Sequence, residues 1–234
     1  MTEQLVFELA QPEPPSFANF LPGANSEALD ALIRIANGSV PETGLLVWGA
    51  AGAGKTHLLR ATVGACLARG HGAVLIAAPG ALAAADPHVL AAARIVAIDD
   101  ADRAGDDAQG HLFTLYNALR ATGGHLLVAS RMPPSRMSLR EDLRTRLGWG
   151  LVYEIAPLAD ADKPAALAGY ARQRGFDLSD EVVRYLLAHG RRDMTTLLST
   201  LAALDRHSLA TKRPVTVPMV RGFLQREIGL TDAG

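Results

Sequence analysis

The amino-acid sequence predicts an α/β protein, with a five-stranded parallel sheet followed by a small all-helical domain. Three observations predict it. Short apolar runs alternate with stretches of helical spacing, the pattern of strand–helix–strand units. Those runs are continuously apolar rather than alternating, which implies strands buried on both faces. Past Pro157 the strand signals stop and helix-start residues continue. The expected organisation is a flexible tail over 1–16, an α/β domain over 17–157 and a helical domain over 158–234.

Taken in order, residues 1–16 hold Gln4, Leu5, Phe7 and Leu9, then Pro12, Pro14 and Pro15, which block helix and regular strand pairing. An extended segment with a glutamine and apolar anchors suits docking into a hydrophobic groove. Asn25 or Ser26 is expected to cap a helix to about Ile35, whose apolar face is Leu29, Leu32, Ile33 and Ile35. The first strand, Leu45–Trp48, leads into a glycine-rich turn and a helix from Lys55 to about Arg69. A strand at Ala73–Ala77 precedes a helical stretch from Leu82 to Ala93. The strand Arg94–Asp100 ends in two carboxylates, and a helix over Asp107–Thr122 ends at Gly123-Gly124. Strand Leu126–Ser130, a helix over Ser138–Arg146 and strand Val152–Ile155 complete the sheet. The helical domain should contain helices over Asp160–Arg174, Ser179–His189, Asp193–His207 and Pro218–Ile228.

Composition narrows the function. The 234 residues carry a formal net charge of -1, which argues against a strongly basic, DNA-wrapping protein. The single cysteine, Cys66, excludes an internal disulfide framework and reads as a core residue. The N-terminus lacks the basic start of a signal peptide, and no run approaches the ~18 apolar residues of a membrane span. A cytoplasmic location with no membrane contact is expected. The seven histidines show no metal-ligand spacing.

The chemistry concentrates in Gly49-Ala50-Ala51-Gly52-Ala53-Gly54-Lys55-Thr56, which fits the phosphate-binding pattern G-x-x-x-x-G-K-[ST]. Glycines let the backbone bend tightly and aim N–H groups at phosphate oxygens. The helix start adds orphan donors and a positive dipole end. Lys55 can reach the β- and γ-phosphates, and the Thr56 hydroxyl can ligate Mg²⁺. Asp99 is the expected carboxylate on the metal, and Asp100 stands where a water-activating carboxylate is needed. Arg146, before the last strand, can stabilise charge on a transferring phosphoryl group, in its own site or a neighbour's. Arg192 could fold back onto the phosphates from the helical domain.

Together these residues resemble the AAA+ ATPases, and within them the DnaA-related proteins. Phe17-x-Asn19-Phe20-x-x-Gly23-x-Asn25 looks like the segment that covers the adenine, which implies contacts from Phe20 and Leu21, with His57 beside the phosphate loop. Ile98-Asp99-Asp100 looks like the Walker B strand, Arg146-Leu147-x-Trp149-Gly150-Leu151 like the arginine-finger box, and Arg192-Asp193-Met194 like sensor 2. The chain stops after the lid-like helices, without the initiator's DNA-reading domain, and its Gln-Leu-x-Phe-x-Leu tail is similar to that of the family of regulatory inactivators of DnaA. The resemblance implies that Gln4, Leu5, Phe7 and Leu9 bind the DNA polymerase III β sliding clamp. It also implies that the protein holds ADP or ATP with Mg²⁺, meets DNA through the clamp, and promotes ATP hydrolysis on DnaA with Arg146 as a finger in trans. A homo-oligomer is compatible with it. The end of the fourth strand departs from the family: relatives commonly place Asp before Arg-x-Pro, where this chain has Ser130-Arg131-Met132-Pro133. Ser130 could orient a water, while Arg131 brings opposite charge, so slow intrinsic turnover is expected. A helicase-loader type ATPase and a binding-only adaptor of DnaA and the clamp are the alternatives.

Overall fold

The structure, a computed structural model, describes residues 14–191 and 193–231. Two compact units are present, one over Pro14–Leu158 and one from Ala159 onward.

The first unit runs α1 (Ser26–Asn37), β1 (Gly44–Trp48), α2 (Lys55–Leu67), β2 (Ala73–Ile76), α3 (Pro87–Leu90), β3 (Ile95–Ile98), α4 (Asp106–Thr122), β4 (His125–Ser130), α5 (Glu141–Trp149) and β5 (Leu151–Glu154). All pairings are parallel, in the order β2-β3-β4-β1-β5. Successive side chains of a strand point to opposite faces, so β1 feeds two cores. Leu45 and Val47 pack with Leu32, Leu58 and Leu59 of α1 and α2. Leu46 packs with Leu112, Leu115 and Leu143 of α4 and α5. Cys66 is fully buried in the first of these cores, and burial pushes its thiol up.

The central strands β1, β3 and β4 are buried almost throughout, as continuous apolar runs require. The edge strands differ: β2 is half-buried along most of its length, and Val152 and Glu154 of β5 face solvent. An edge strand has one neighbour, so an apolar run there does not imply two covered faces.

The helix expected over Leu82–Ala93 is instead a 3-10 segment at Pro79–Ala84 followed by the short α3. Ala85 is extended, and the Asp86 side chain accepts from the His88 N–H with Pro87 in the first helical position. That is a new helix start, which proline permits only there. The helix expected from Ser138 starts at Glu141 and runs on to Trp149, because Arg140 is extended at its N-cap.

The second unit holds α6 (Lys163–Gln173), α7 (Asp180–His189), α8 (Met194–Thr211) and α9 (Val217–Thr231). Ser179 and Asp193 cap α7 and α8 through their side chains, accepting from Val182 and Thr196. The helices enclose one core, including Leu167, Leu186, Leu197, Leu201 and Val220. Arg174, just after α6, pairs with the buried Asp205 of α8 at 3.1 Å. Among the described residues, no helix is long and apolar enough to cross a membrane.

Candidate functional site

The carboxyl ends of β1, β3 and β4 converge, because Trp48 lies beside Ser130 and Ile98 beside Val128. The turn from β1 to α2 is shaped by glycine. Gly49 has φ 154° and Gly54 φ 103°, conformations L residues rarely adopt. A Cβ on Gly49 would lie 2.3 Å from the Ile155 carbonyl oxygen, and one on Gly54 2.8 Å from the Phe20 ring. Side chains are therefore excluded at Gly49 and Gly54, the two ends of the turn, and only glycine and alanine stand between them. Ala51 and Gly52 are exposed on this turn, while Ala53 is buried under it.

Lys55 opens α2 and is buried. Its Nζ donates to the carbonyls of Gly49 and Ala50, both at 2.8 Å. Burial holds its pKa below the usual lysine value, against the opposing pull of Asp99, Asp100 and Asp102. Thr56 Oγ1 donates to Asp99 Oδ2 at 2.5 Å, so the two oxygens proposed for a metal are side by side. Hard oxygen donors next to a phosphate cradle are the set Mg²⁺ takes, with substrate phosphates and water completing its shell. These residues therefore fit a magnesium nucleotide.

Asp100 has φ 50°, a left-handed conformation uncommon outside glycine. Its amide donates to Asp99 Oδ1 at 3.0 Å, and its carboxylate lies 3.3 Å from Arg103 Nη1. The residue expected to activate water is thus paired with an arginine on its own turn.

The segment before α1 folds against the start of α2. His57 Nε2 lies 2.9 Å from the Ser16 carbonyl, which can only accept, so Nε2 carries the proton. Burial holds the His57 pKa below its ordinary value, partly offset by that bond. The Phe20 ring sits 5.5 Å from the His57 ring, and Leu21 is half-buried. Asn25 occupies the N-cap position of α1 but makes no side-chain cap bond. Instead its amide accepts from Ala156 N and donates to Ala156 O, each at 2.9 Å, pinning the segment to the chain after β5. A buried amide satisfied on both sides by a distant backbone outcompetes the local cap.

Ser130 is fully buried, and its hydroxyl donates to the Met132 carbonyl at 2.7 Å, within its own turn. Arg131 pairs with Asp102, from the 3-10 turn after β3: Nε to Oδ2 at 2.8 Å, and the Arg131 amide to Oδ1 at 3.2 Å. The Asp102 side chain is 2% exposed. Burial pushes its pKa up, but the bonds and charge of Arg131 outweigh that and hold it low. The pair joins residues 29 apart in sequence, so it becomes visible only once β3 and β4 are neighbours.

Arg146 lies elsewhere. It is in the last turn of α5, just before β5, hence toward the amino ends of the strands and away from the phosphate loop. Its guanidinium stacks 4.1 Å over the Phe113 ring of α4, and Nε donates to Asn117 Oδ1 at 3.3 Å. Trp149, 66% exposed, follows it. Neither Phe113 nor Asn117 carries a sequence signal beyond helical spacing. Arg192, Gln4, Leu5, Phe7 and Leu9 lie outside the described residues.

Residues 160–224 match the family model of the Hda lid domain. Domain III of the Thermotoga maritima replication initiation protein DnaA superposes with a TM-score of 0.74 at 20% identity, over 93% of this chain and 98% of that one. The lid region is therefore Hda-like, and the chain has the AAA+ fold of DnaA domain III. AMPPCP-bound DnaA from Aquifex aeolicus gives a TM-score of 0.70 at 20% identity, covering 81% of this chain and 64% of the DnaA chain. This chain thus spans under two thirds of that DnaA's length. The Thermotoga maritima RuvB Holliday junction branch migration motor shares the AAA+ fold more distantly, with a TM-score of 0.63 at 15% identity over 91% of this chain and 72% of RuvB.

Proposed function

We propose that this protein is a nucleotide-dependent regulator of DnaA that promotes hydrolysis of the ATP bound to DnaA. Its own site holds ADP or ATP with Mg²⁺. Lys55 and the backbone N–H groups of Gly49–Gly54 bind the phosphates, Thr56 and Asp99 hold the metal, and Phe20, Leu21 and His57 lie on the base side. Bound Mg²⁺ neutralises phosphate charge. Arg192 contributes from the helical domain. The residues Gln4, Leu5, Phe7 and Leu9 dock on the β sliding clamp, and the clamp brings the protein to DNA.

The observation that carries the reading is the position of Arg146. An arginine in the last turn of α5, on the side of the sheet away from Lys55, serves a neighbour's nucleotide rather than its own. Stacking on Phe113 holds the guanidinium in a fixed direction, which a transition-state contact requires. Intrinsic turnover is slow, because Asp100 is engaged with Arg103 and Ser130 with Met132. The test is hydrolysis of labelled ATP preloaded on DnaA, with this protein, ADP and a DNA-loaded clamp, each omitted in turn. Conversion to ADP-DnaA that needs all three supports the regulatory reading. Conversion at the background rate with clamp binding intact leaves an adaptor.

A further inference from the structure

We propose that Asp102 is a positioning residue for the magnesium side of the nucleotide site, acting through Arg131. This rests on the nucleotide reading above. Three loops meet at the carboxyl ends of the strands, and each pair is joined by one tie. Gly49 N donates to the Ser130 carbonyl at 3.2 Å, joining the phosphate loop to the end of β4. Thr56 donates to Asp99, joining the start of α2 to the end of β3. Asp102 closes the triangle, joining the turn after β3 to the end of β4.

The third tie differs in kind from the exposed ion pairs of the chain. Its carboxylate is buried, and one of its oxygens grips backbone rather than side chain. A buried carboxylate is retained only when paired and hydrogen-bonded. The link from Asp102 back to Asp99 is short and stiff. It passes through the left-handed Asp100, whose amide is bound to Asp99 Oδ1 and whose carbonyl accepts from Arg103 N at 2.9 Å. Releasing Asp102 therefore frees Asp99 relative to Thr56, while the contacts of Lys55 to the phosphate loop, which do not pass through β3, stay as they are. Arg131, unplaced by its sequence motif, acquires a role as the anchor for that carboxylate.

The experiment is equilibrium binding of a fluorescent ADP to the full chain, in Mg²⁺ and in EDTA. Asp102→Asn keeps the shape but leaves one acceptor for two donors, so its NH2 faces either the Arg131 amide or Arg131 Nε–H. Removing a group bonded directly to a metal ligand typically costs about 10- to 100-fold in metal affinity. Asp102 bonds to Arg131 and so acts one step further out. The expected result is a loss near the lower end of that range, about 10-fold in Mg²⁺, and unchanged affinity in EDTA. Arg131→Gln, at a side chain 47% exposed, should reproduce it in part. The double variant should lose no more than Asp102→Asn alone. Equal losses in Mg²⁺ and EDTA, or wild-type affinity in both single variants, would overturn the positioning role while leaving the nucleotide site standing. A wild-type chain that binds no nucleotide in either buffer would overturn the nucleotide reading itself.

Discussion

Replacing Gly49 by alanine tests the geometry of the phosphate loop. At φ 154° an alanine is strained, and strain of this kind costs about 1–3 kcal/mol. The new Cβ would sit 2.3 Å from the Ile155 carbonyl oxygen. Ile155 cannot withdraw freely, since its N–H donates to the Trp48 carbonyl at 2.6 Å. Breaking that bond adds roughly 0.5–1.5 kcal/mol. The expected destabilisation of Gly49→Ala is therefore about 2–4 kcal/mol. The matched control is Gly64→Ala, in the middle of α2 with nothing within 4 Å of its Cβ. There alanine should be neutral or stabilising by up to about 1 kcal/mol. Urea unfolding followed by tryptophan fluorescence reads both, with Trp48 at the end of β1 as a local reporter. Slopes near 1–3 kcal/mol/M translate the difference into a midpoint about 1 M or more lower for Gly49→Ala. Equal midpoints for the two variants would refute the close approach of loop and Ile155.

Other outcomes follow from single contacts. Asn25→Ala removes two part-buried hydrogen bonds and strands the Ala156 amide and carbonyl, so it should cost about 1–3 kcal/mol in the same unfolding assay. His57 gives a pH dependence: its folded pKa lies below the ordinary value near 6.5, so as pH falls through that value the unfolded chain takes up the proton first. Stability should thus fall between about pH 7 and 5, and His57→Gln, which keeps a donor for Ser16, should flatten the fall; a slope unchanged in the variant would assign it to other groups. Gln4→Ala should abolish clamp binding measured by surface plasmon resonance while leaving nucleotide affinity unchanged, and retained clamp binding would count against the tail as the docking segment.

The strands and the phosphate loop were legible because their signals are local. A buried parallel strand needs a short apolar run, and the loop needs glycines at fixed offsets from Lys55 and Thr56. Asp99 was legible for the same reason, as the carboxylate at the end of an apolar strand. What the sequence missed depends on neighbours distant along the chain. Asn25 reads as a cap until Ala156 is beside it, 131 residues on. Arg131 reads as a misplaced charge until β3 and β4 adjoin and Asp102 comes within 2.8 Å. Phe113 becomes a platform only when α5 lays Arg146 across it. The helix expected over Leu82–Ala93 failed for a local reason, since Pro87 after Asp86 starts a new helix rather than continuing one.

Arg146→Ala is the most direct test of the trans finger. The side chain is partly exposed, and its stacking on Phe113 is worth only about 0.5–1 kcal/mol, so the fold should hold. Hydrolysis of ATP preloaded on DnaA would be measured with the variant and the wild type, each with ADP and a DNA-loaded clamp. An arginine finger is worth ~10³–10⁵ in rate, so the variant should leave DnaA near its unstimulated rate while still binding nucleotide and clamp. Stimulation by Arg146→Ala equal to that of the wild type would contradict the reading.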